Sequence, residues 1–236
     1  MVVYPLRYLS DGSIFLDPDD HCDHVVDAML ETVYGEEFCI AMSFDVGFIC
    51  RLMQAGFLVM STRIALEDNE NDSFTILLPK HHLARSVLFF PDLHIKKNIR
   101  RFLSHYELRV DSDFDTILDQ CVAIHGDGWL TPPLVRVIKT MRQQNQLARV
   151  KPISFGLYRE GQLKAGEIGI VVGGVYTSYT GFHEENNAGT VQMIRMAQWL
   201  CESDFGFLDF GMPLDYKTAL GAKNISIRHF VDIFIP

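Results

Sequence analysis

Apolar residues recur along this chain at two different spacings, and the change from one to the other predicts most of its elements. A period of three to four residues marks helices at 23–33, 44–54, 111–124, 132–146 and 187–202, the last with Val191, Ile194, Ala197 and Cys201 along one face. Ser43 stands as an N-cap for the second and Gly56 as its stop. Thr131 and the prolines at 132 and 133 open the fourth, where first-turn amides have no intrahelical partner to lose. Shorter runs rich in Val, Ile, Phe and Tyr predict strands at 57–65, 74–78, 87–90, 153–159, 163–172, 175–182, 207–210 and 227–235. Glu160-Gly161-Gln162 and Gly173-Gly174 are hairpin signals that turn 153–182 into a meander, and the acidic stretch 67–72 reads as another hairpin connection.

A meander, one helix, one strand, a loop and a final strand is the order of a GNAT-type acyltransferase core. The expected fold is therefore α/β (α+β), with residues 1–91 as a small N-terminal α/β subdomain and 92–236 as a GNAT-like catalytic domain. Acetyl-CoA enzymes of this kind seat a pyrophosphate on the amides of a Q/R-x-x-G-x-G/A turn before the helix. Here that turn is Phe182-His183-Glu184-Glu185-Asn186-Asn187-Ala188-Gly189, with two carboxylates and a glycine spacing that does not fit. CoA-dependent N-acyl transfer ranks low for that reason, and no cofactor is expected.

Composition narrows the picture further. At 236 residues and 48% hydrophobic content the chain can bury a full core. No run approaches the roughly 18 apolar residues of a membrane span. Residues 1–20 lack the pattern of a signal peptide, so the expectation is a cytoplasmic protein with no membrane partner. Cys22, Cys39, Cys50, Cys121 and Cys201 form no C-x-x-C pair, which argues against a disulfide framework and a zinc ribbon and for buried, reduced thiols. His21-Cys22-Asp23-His24 and His81-His82 lack further ligands at metal spacing, and no metal is expected. A net charge of −9 excludes a broad, sequence-independent nucleic-acid binder but leaves room for a local basic patch, and it suits a cationic partner.

Such a patch exists between His94 and Leu103, read as a helix. Ile95, Ile99, Phe102 and Leu103 fall on one face, and Lys96, Lys97, Arg100 and Arg101 occupy the other. Cations so placed can follow a phosphate backbone, whereas the ordinary meaning of a charge run is a solvated face.

Three blocks in order carry a family resemblance. Arg85-Ser86-Val87-Leu88-Phe89-Phe90-Pro91-Asp92-Leu93-His94-Ile95, Gly128-Trp129-Leu130-Thr131, and Leu208-Asp209-Phe210-Gly211 running into the D-x-x-x-x-L-G-A stretch from Asp215 to Ala222 resemble the leucyl/phenylalanyl-tRNA–protein transferases. The resemblance implies transfer of Leu, Phe or Met from aminoacyl-tRNA to the α-amino group of a protein beginning with Arg or Lys. That reaction is an N-degron tag for degradation, and a monomer is expected to carry it out. It also implies residue roles. Lys96, Lys97, Arg100 and Arg101 would meet tRNA, with Arg85 adding a contact. Trp129 would line the donor pocket, with Met60 where the family has a second tryptophan. Phe182 and Asp215 join the substrate-binding set. Asp209 stands at the catalytic aspartate, Gly211 where the family has a glutamine, and Tyr179 where it has a glutamate. Those departures leave open an altered donor such as Arg, with Glu167 or Asp215 meeting it, and a catalytically inactive protein that binds a protein N-terminus or a tRNA end.

Overall fold

The structure is a computed structural model that describes residues 6–31, 37–66, 69–144 and 149–234. In chain order the first elements are β1 (Arg7–Tyr8), β2 (Ile14–Leu16), α1 (Cys22–Glu31), β3 (Cys39–Ala41), α2 (Val46–Gln54), β4 (Leu58–Leu66), β5 (Asn69–Lys80) and β6 (Ala84–Leu88). Next come α3 (Lys97–Arg100), β7 (Glu107–Val110), α4 (Phe114–His125), α5 (Pro132–Gln143), β8 (Val150–Arg159), β9 (Gln162–Val172), β10 (Val175–His183) and α6 (Ala188–Glu202). Then follow β11 (Phe207–Gly211), α7 (Asp215–Ala219), β12 (Lys223–Ser226) and α8 (Ile227–Phe234).

Contacts divide the chain into two units that interleave in sequence. One comprises Met1–Leu83, Gly126–Ala148 and Ile227–Pro236, the other Ala84–His125 and Arg149–Ser226. The sequence reading draws a single boundary after Pro91, whereas the first unit also takes in α5 and the C-terminal helix.

The first unit holds a five-stranded sheet in the order β1-β2-β3-β5-β4. Strands β4 and β5 pair antiparallel from Leu58↔Lys80 to Leu66↔Asn69, and residues 67 and 68 of the acidic connection lie outside the described residues. Helix α2 is capped by Asp45 rather than Ser43, its carboxylate accepting from Phe48 N at 2.7 Å. Gly56 follows α2 at φ +86, and a Cβ there would come within 3.2 Å of the His81 and Phe230 rings. The expected strand 227–235 is a helix. Ile227, Phe230, Val231 and Phe234 recur at helical spacing, and the Phe230 and Phe234 rings, both buried, stack at 4.9 Å. Its Phe, Ile and Val content imitates a strand, but the period decides.

The second unit holds a seven-stranded sheet in the order β12-β6-β11-β10-β9-β8-β7. The meander forms as expected. Glu160 at φ 52 and Gly161 at φ 78 make the two-residue turn whose twist matches the flanking strands β8 and β9. Helix α6 covers one sheet face, packing Val191, Ile194, Ala197 and Leu200 against Leu88, Phe155, Tyr176 and Leu208. Helix α4 covers the opposite face, where Ile117 and Phe182 fill the space left by Gly166. Cys201 is exposed, with Leu200 in its place in the core. Cys22, Cys39, Cys50 and Cys121 are buried and free, their thiols raised to between about 11 and about 12 by burial. The helix expected over 94–103 shrinks to α3, with Ile99 buried and Ile95, Phe102 and Leu103 packed on the core from irregular turns around it.

Candidate functional site

The second unit contains a fork in its sheet. Parallel strands β10 and β11 pair only from Val175↔Phe207 to Thr177↔Asp209. At that level both strands go out of register with their other neighbours, β10 between Ser178 and Thr180 and β11 between Asp209 and Gly211. Bulges re-aim side chains and end pairing, and a crevice past the carboxyl ends of parallel strands is where α/β sheets bind ligands.

Asp209 sits fully buried at the fork. Arg85, from β6 and itself 1% exposed, grips it with Nε at 3.0 and 3.1 Å and Nη2 at 2.7 Å. Thr177 Oγ1 donates to Oδ2 at 3.0 Å and the Gly211 amide to Oδ1 at 2.8 Å. The carboxylate is thus committed to donors from β6, β10 and β11. Buried Lys217 of α7 closes the far side by donating through Nζ to Phe210 O at 2.7 Å and Met212 O at 2.8 Å. Burial lowers its pKa, against the pull of Asp209 and Glu167.

Glu167 of β9 is the buried carboxyl that stands out. Burial pushes it up to about 7, opposed by hydrogen bonds from Ser178 and Tyr176 and by the charge of Lys217. Tyr176 Oη donates to it at 3.1 Å, its ring lying over Gly169, where a Cβ would collide with that ring. Through Ser178, Glu167 is tied to the residue where the β10 bulge begins. Tyr179, inside the bulge, is half-buried, and burial raises its phenol.

The remaining expected residues scatter. Gly211 is buried at φ +70 beside Asp209. Asp215 is exposed in the first turn of α7. Phe182 is a core residue 4% exposed against α4, which removes it from the substrate-binding set. Arg85 is likewise corrected. Buried and held by Asp209, it presents no guanidinium to a phosphate. Lys96, Lys97, Arg100 and Arg101 are all exposed. In the first unit, half-buried Met60 and Trp129 are brought close, since Ser61 N and Oγ both donate to Trp129 O at 3.0 Å. In the 182–189 turn, Glu185 is engaged by Tyr106 at 3.0 Å, Arg159 at 2.8 Å and Lys164 at 3.3 Å. No group of three or more metal-ligating side chains occurs among the described residues, and none of the helices there is long and apolar enough to cross a membrane.

The sequence profile described as "Leucyl/phenylalanyl-tRNA protein transferase" matches residues 87–234. The chain belongs to this family. Relatives of that name include one from Pseudomonas entomophila (strain L48), 29% identical over 153 residues that make up 63% of this chain and 66% of the relative. Another, from Campylobacter jejuni (strain RM1221), is 24% identical over 186 residues, 79% of this chain and 82% of the relative. The chain thus spans slightly less than two thirds of the Pseudomonas protein. Among solved structures, FemX aligns over 94% of this chain and 83% of its own at 8% identity and TM-score 0.46. A GCN5-related N-acetyltransferase from Kribbella flavida aligns over 91% and 75% at 14% identity and TM-score 0.39.

Within this transferase family frame, the matched range contains Trp129, Tyr179, Asp209 and Gly211, while Met60 and Arg85 precede it. Sequence reasoning misses Thr177 and Lys217 as site residues and offers Glu167 only as a possible partner for a cationic donor. The signal available for Glu167 was its place in a strand of near-continuous apolar character, since a carboxylate in such a strand has no solvent face to occupy.

Proposed function

We propose that the chain is an aminoacyl-tRNA–protein transferase moving an apolar amino acid, Leu, Phe or Met, from charged tRNA to the α-amino group of a protein beginning with Arg or Lys. It would act as a cytoplasmic monomer and mark that protein for degradation. The observation that carries this reading is the fork at Thr177↔Asp209, inside the family match, with a carboxyl raised to about 7 tied to its bulge. The reaction needs little more. The amine attacks the ester carbonyl, the ester C–O bond breaks as the amide forms, the ribose hydroxyl leaves, and the amine gives up a proton. Glu167 is the group poised to hold such a proton near neutral pH. Asp209, its oxygens already occupied, acts by positioning the bulge and the Gly211 amide. Half-buried Met60 and Trp129 suit an apolar donor, and the exposed cations at 96, 97, 100 and 101 suit the tRNA backbone.

A second reading, a cationic donor such as arginine, is favoured by the burial of Glu167. Single-turnover transfer from leucyl-, phenylalanyl-, methionyl- and arginyl-tRNA to peptides of varied first residue separates the two. The expected result is transfer from the apolar donors within about tenfold of one another, since a methylene is worth only ~1 kcal/mol. Asp209→Asn should lower the rate by roughly 10²-fold. Transfer from arginyl-tRNA alone establishes the second reading, and an unchanged Asp209→Asn rate removes the fork from the chemistry.

A further inference from the structure

Of the buried charges at the fork, Lys217 is the one bonded to backbone and to no carboxylate. Its Nζ donates to Phe210 O at 2.7 Å and Met212 O at 2.8 Å, the carbonyls of the two residues that flank Gly211. Gly211, at φ +70, offers no side chain where the family resemblance implies a glutamine. One ammonium therefore braces the turn from which that side chain is missing. Lys217 occupies an unspecified position of the D-x-x-x-x-L-G-A stretch, so the motif assigns it no part. Two carbonyls need only a neutral donor, and burying an ammonium costs far more than burying an amide or a hydroxyl, so the charge calls for a use beyond bracing. Around Glu167 stand Tyr176 and Ser178 from β10, Lys217 and Tyr216 from α7, and Cys121 from α4. Lys217 is the only cation among them. Arg85, the other buried cation of the fork, has its guanidinium committed to Asp209.

We infer that Lys217 is a positioning residue for transfer, an inference that rests on the transferase reading: it braces the 210–212 turn through two carbonyls and sets its charge against Glu167, so that this carboxyl can stand ionised and take the proton of the attacking amine. An ammonium near a buried carboxyl favours the ionised form and opposes the burial that raises Glu167 to about 7. Without that charge burial acts unopposed, and the carboxyl holds its proton to higher pH. Single-turnover transfer from a mixture of leucyl-, phenylalanyl-, methionyl- and arginyl-tRNA, followed from pH 6 to pH 8.5, compares the wild type with Lys217→Met and Lys217→Arg. The wild-type rate should rise through about pH 7. Lys217→Met should move that rise upward, so that its deficit at pH 6 exceeds its deficit at pH 8.5 by roughly five- to tenfold. Lys217→Arg, which keeps both donors and the charge, should keep the wild-type midpoint. A deficit of the same factor at every pH makes Lys217 a strut alone and overturns the inference, as does an arginine variant whose midpoint moves like that of methionine. A carbon NMR titration of the wild type and Glu167→Gln carries the test even where Lys217→Met does not fold. The Lys217 Cε resonance should step near pH 7 in the wild type and lose that step in Glu167→Gln, and a wild type without the step overturns the coupling. Absence of transfer by the wild type from every charged tRNA overturns the transferase reading and the role of Lys217 in it, whereas normal transfer with an unmoved midpoint in Lys217→Met overturns the role of Lys217 alone.

Discussion

Replacing Glu167 with glutamine tests the electrostatics of the fork directly. The carboxyl is buried, and burial raises it from 4.5 to about 7. Because the native carboxyl keeps its proton to higher pH than the unfolded one, the native state binds more protons between about pH 4.5 and about 7. Stability therefore falls as pH rises through that window and levels off above it. The full loss corresponds to about 3 kcal/mol, at 1.36 kcal/mol per pH unit. Glutamine keeps the acceptor that Tyr176 Oη uses at 3.1 Å and cannot ionise. Urea unfolding of both proteins at pH 5, 6, 7 and 8 should show near-equal stability at pH 5 and a variant more stable by about 2–3 kcal/mol at pH 8. A carbon NMR titration should find one carboxyl with a midpoint near 7 that is missing in the variant. A stability difference that stays flat from pH 5 to pH 8 refutes the reasoning, because it leaves Glu167 titrating alike in both states.

Three further outcomes follow from the same geometry. Arg85→Met should destabilise by about 3–5 kcal/mol, because it leaves Asp209 charged and buried without its main partner, and adding Asp209→Asn should recover part of that loss in chemical unfolding. Neutralising Lys96 and Arg100 together should flatten the slope of log affinity for tRNA against log salt by about 1–2 units, with an unchanged slope in salt titrations removing them from the interface. Gly221→Ala should destabilise by about 1–3 kcal/mol, since it forces a Cβ onto the Asp92 carbonyl at φ +100, and equal thermal midpoints would show that the backbone there yields.

The parts legible in the sequence were those fixed by local period and turn chemistry. The meander of β8, β9 and β10 and the helix α6 follow from alternation, from the Glu160-Gly161 and Gly173-Gly174 turns, and from one apolar helical stripe. Helix α8 is also legible in the spacing of Ile227, Phe230, Val231 and Phe234, although its Phe, Ile and Val content is that of a strand. The short strands β1, β2, β3, β7 and β12 are two to four residues long, too short for any period to register. The candidate site divides in the same way. Asp209 stands out as a carboxylate closing an apolar run, whereas its tie to Arg85 joins residues 124 positions apart and exists only once β6 lies beside β11. An arginine in a basic-looking context reads as a surface cation. Its burial is a property of the sheet.

The fork itself accounts for why two charged side chains are kept in the interior. Where β10 and β11 part, backbone groups lose the ladder that would have satisfied them, and an unpaired buried amide or carbonyl costs about as much as a lost hydrogen bond. The Gly211 amide is met by Asp209, and the Phe210 and Met212 carbonyls are met by Lys217. Each charge then needs its own compensation. Asp209 finds it in Arg85 and Thr177, while Lys217 finds it in the attraction of Asp209 and Glu167. With Glu167 protonated, Arg85 and Lys217 outnumber the one fixed carboxylate, and with it ionised the four side chains balance. Proton uptake by Glu167 unbalances these four charges but leaves every backbone group at the fork satisfied, whereas a proton on Asp209 would also disturb the acceptor of the Gly211 amide. That asymmetry makes Glu167, more than Asp209, the residue whose titration should set the pH dependence of transfer.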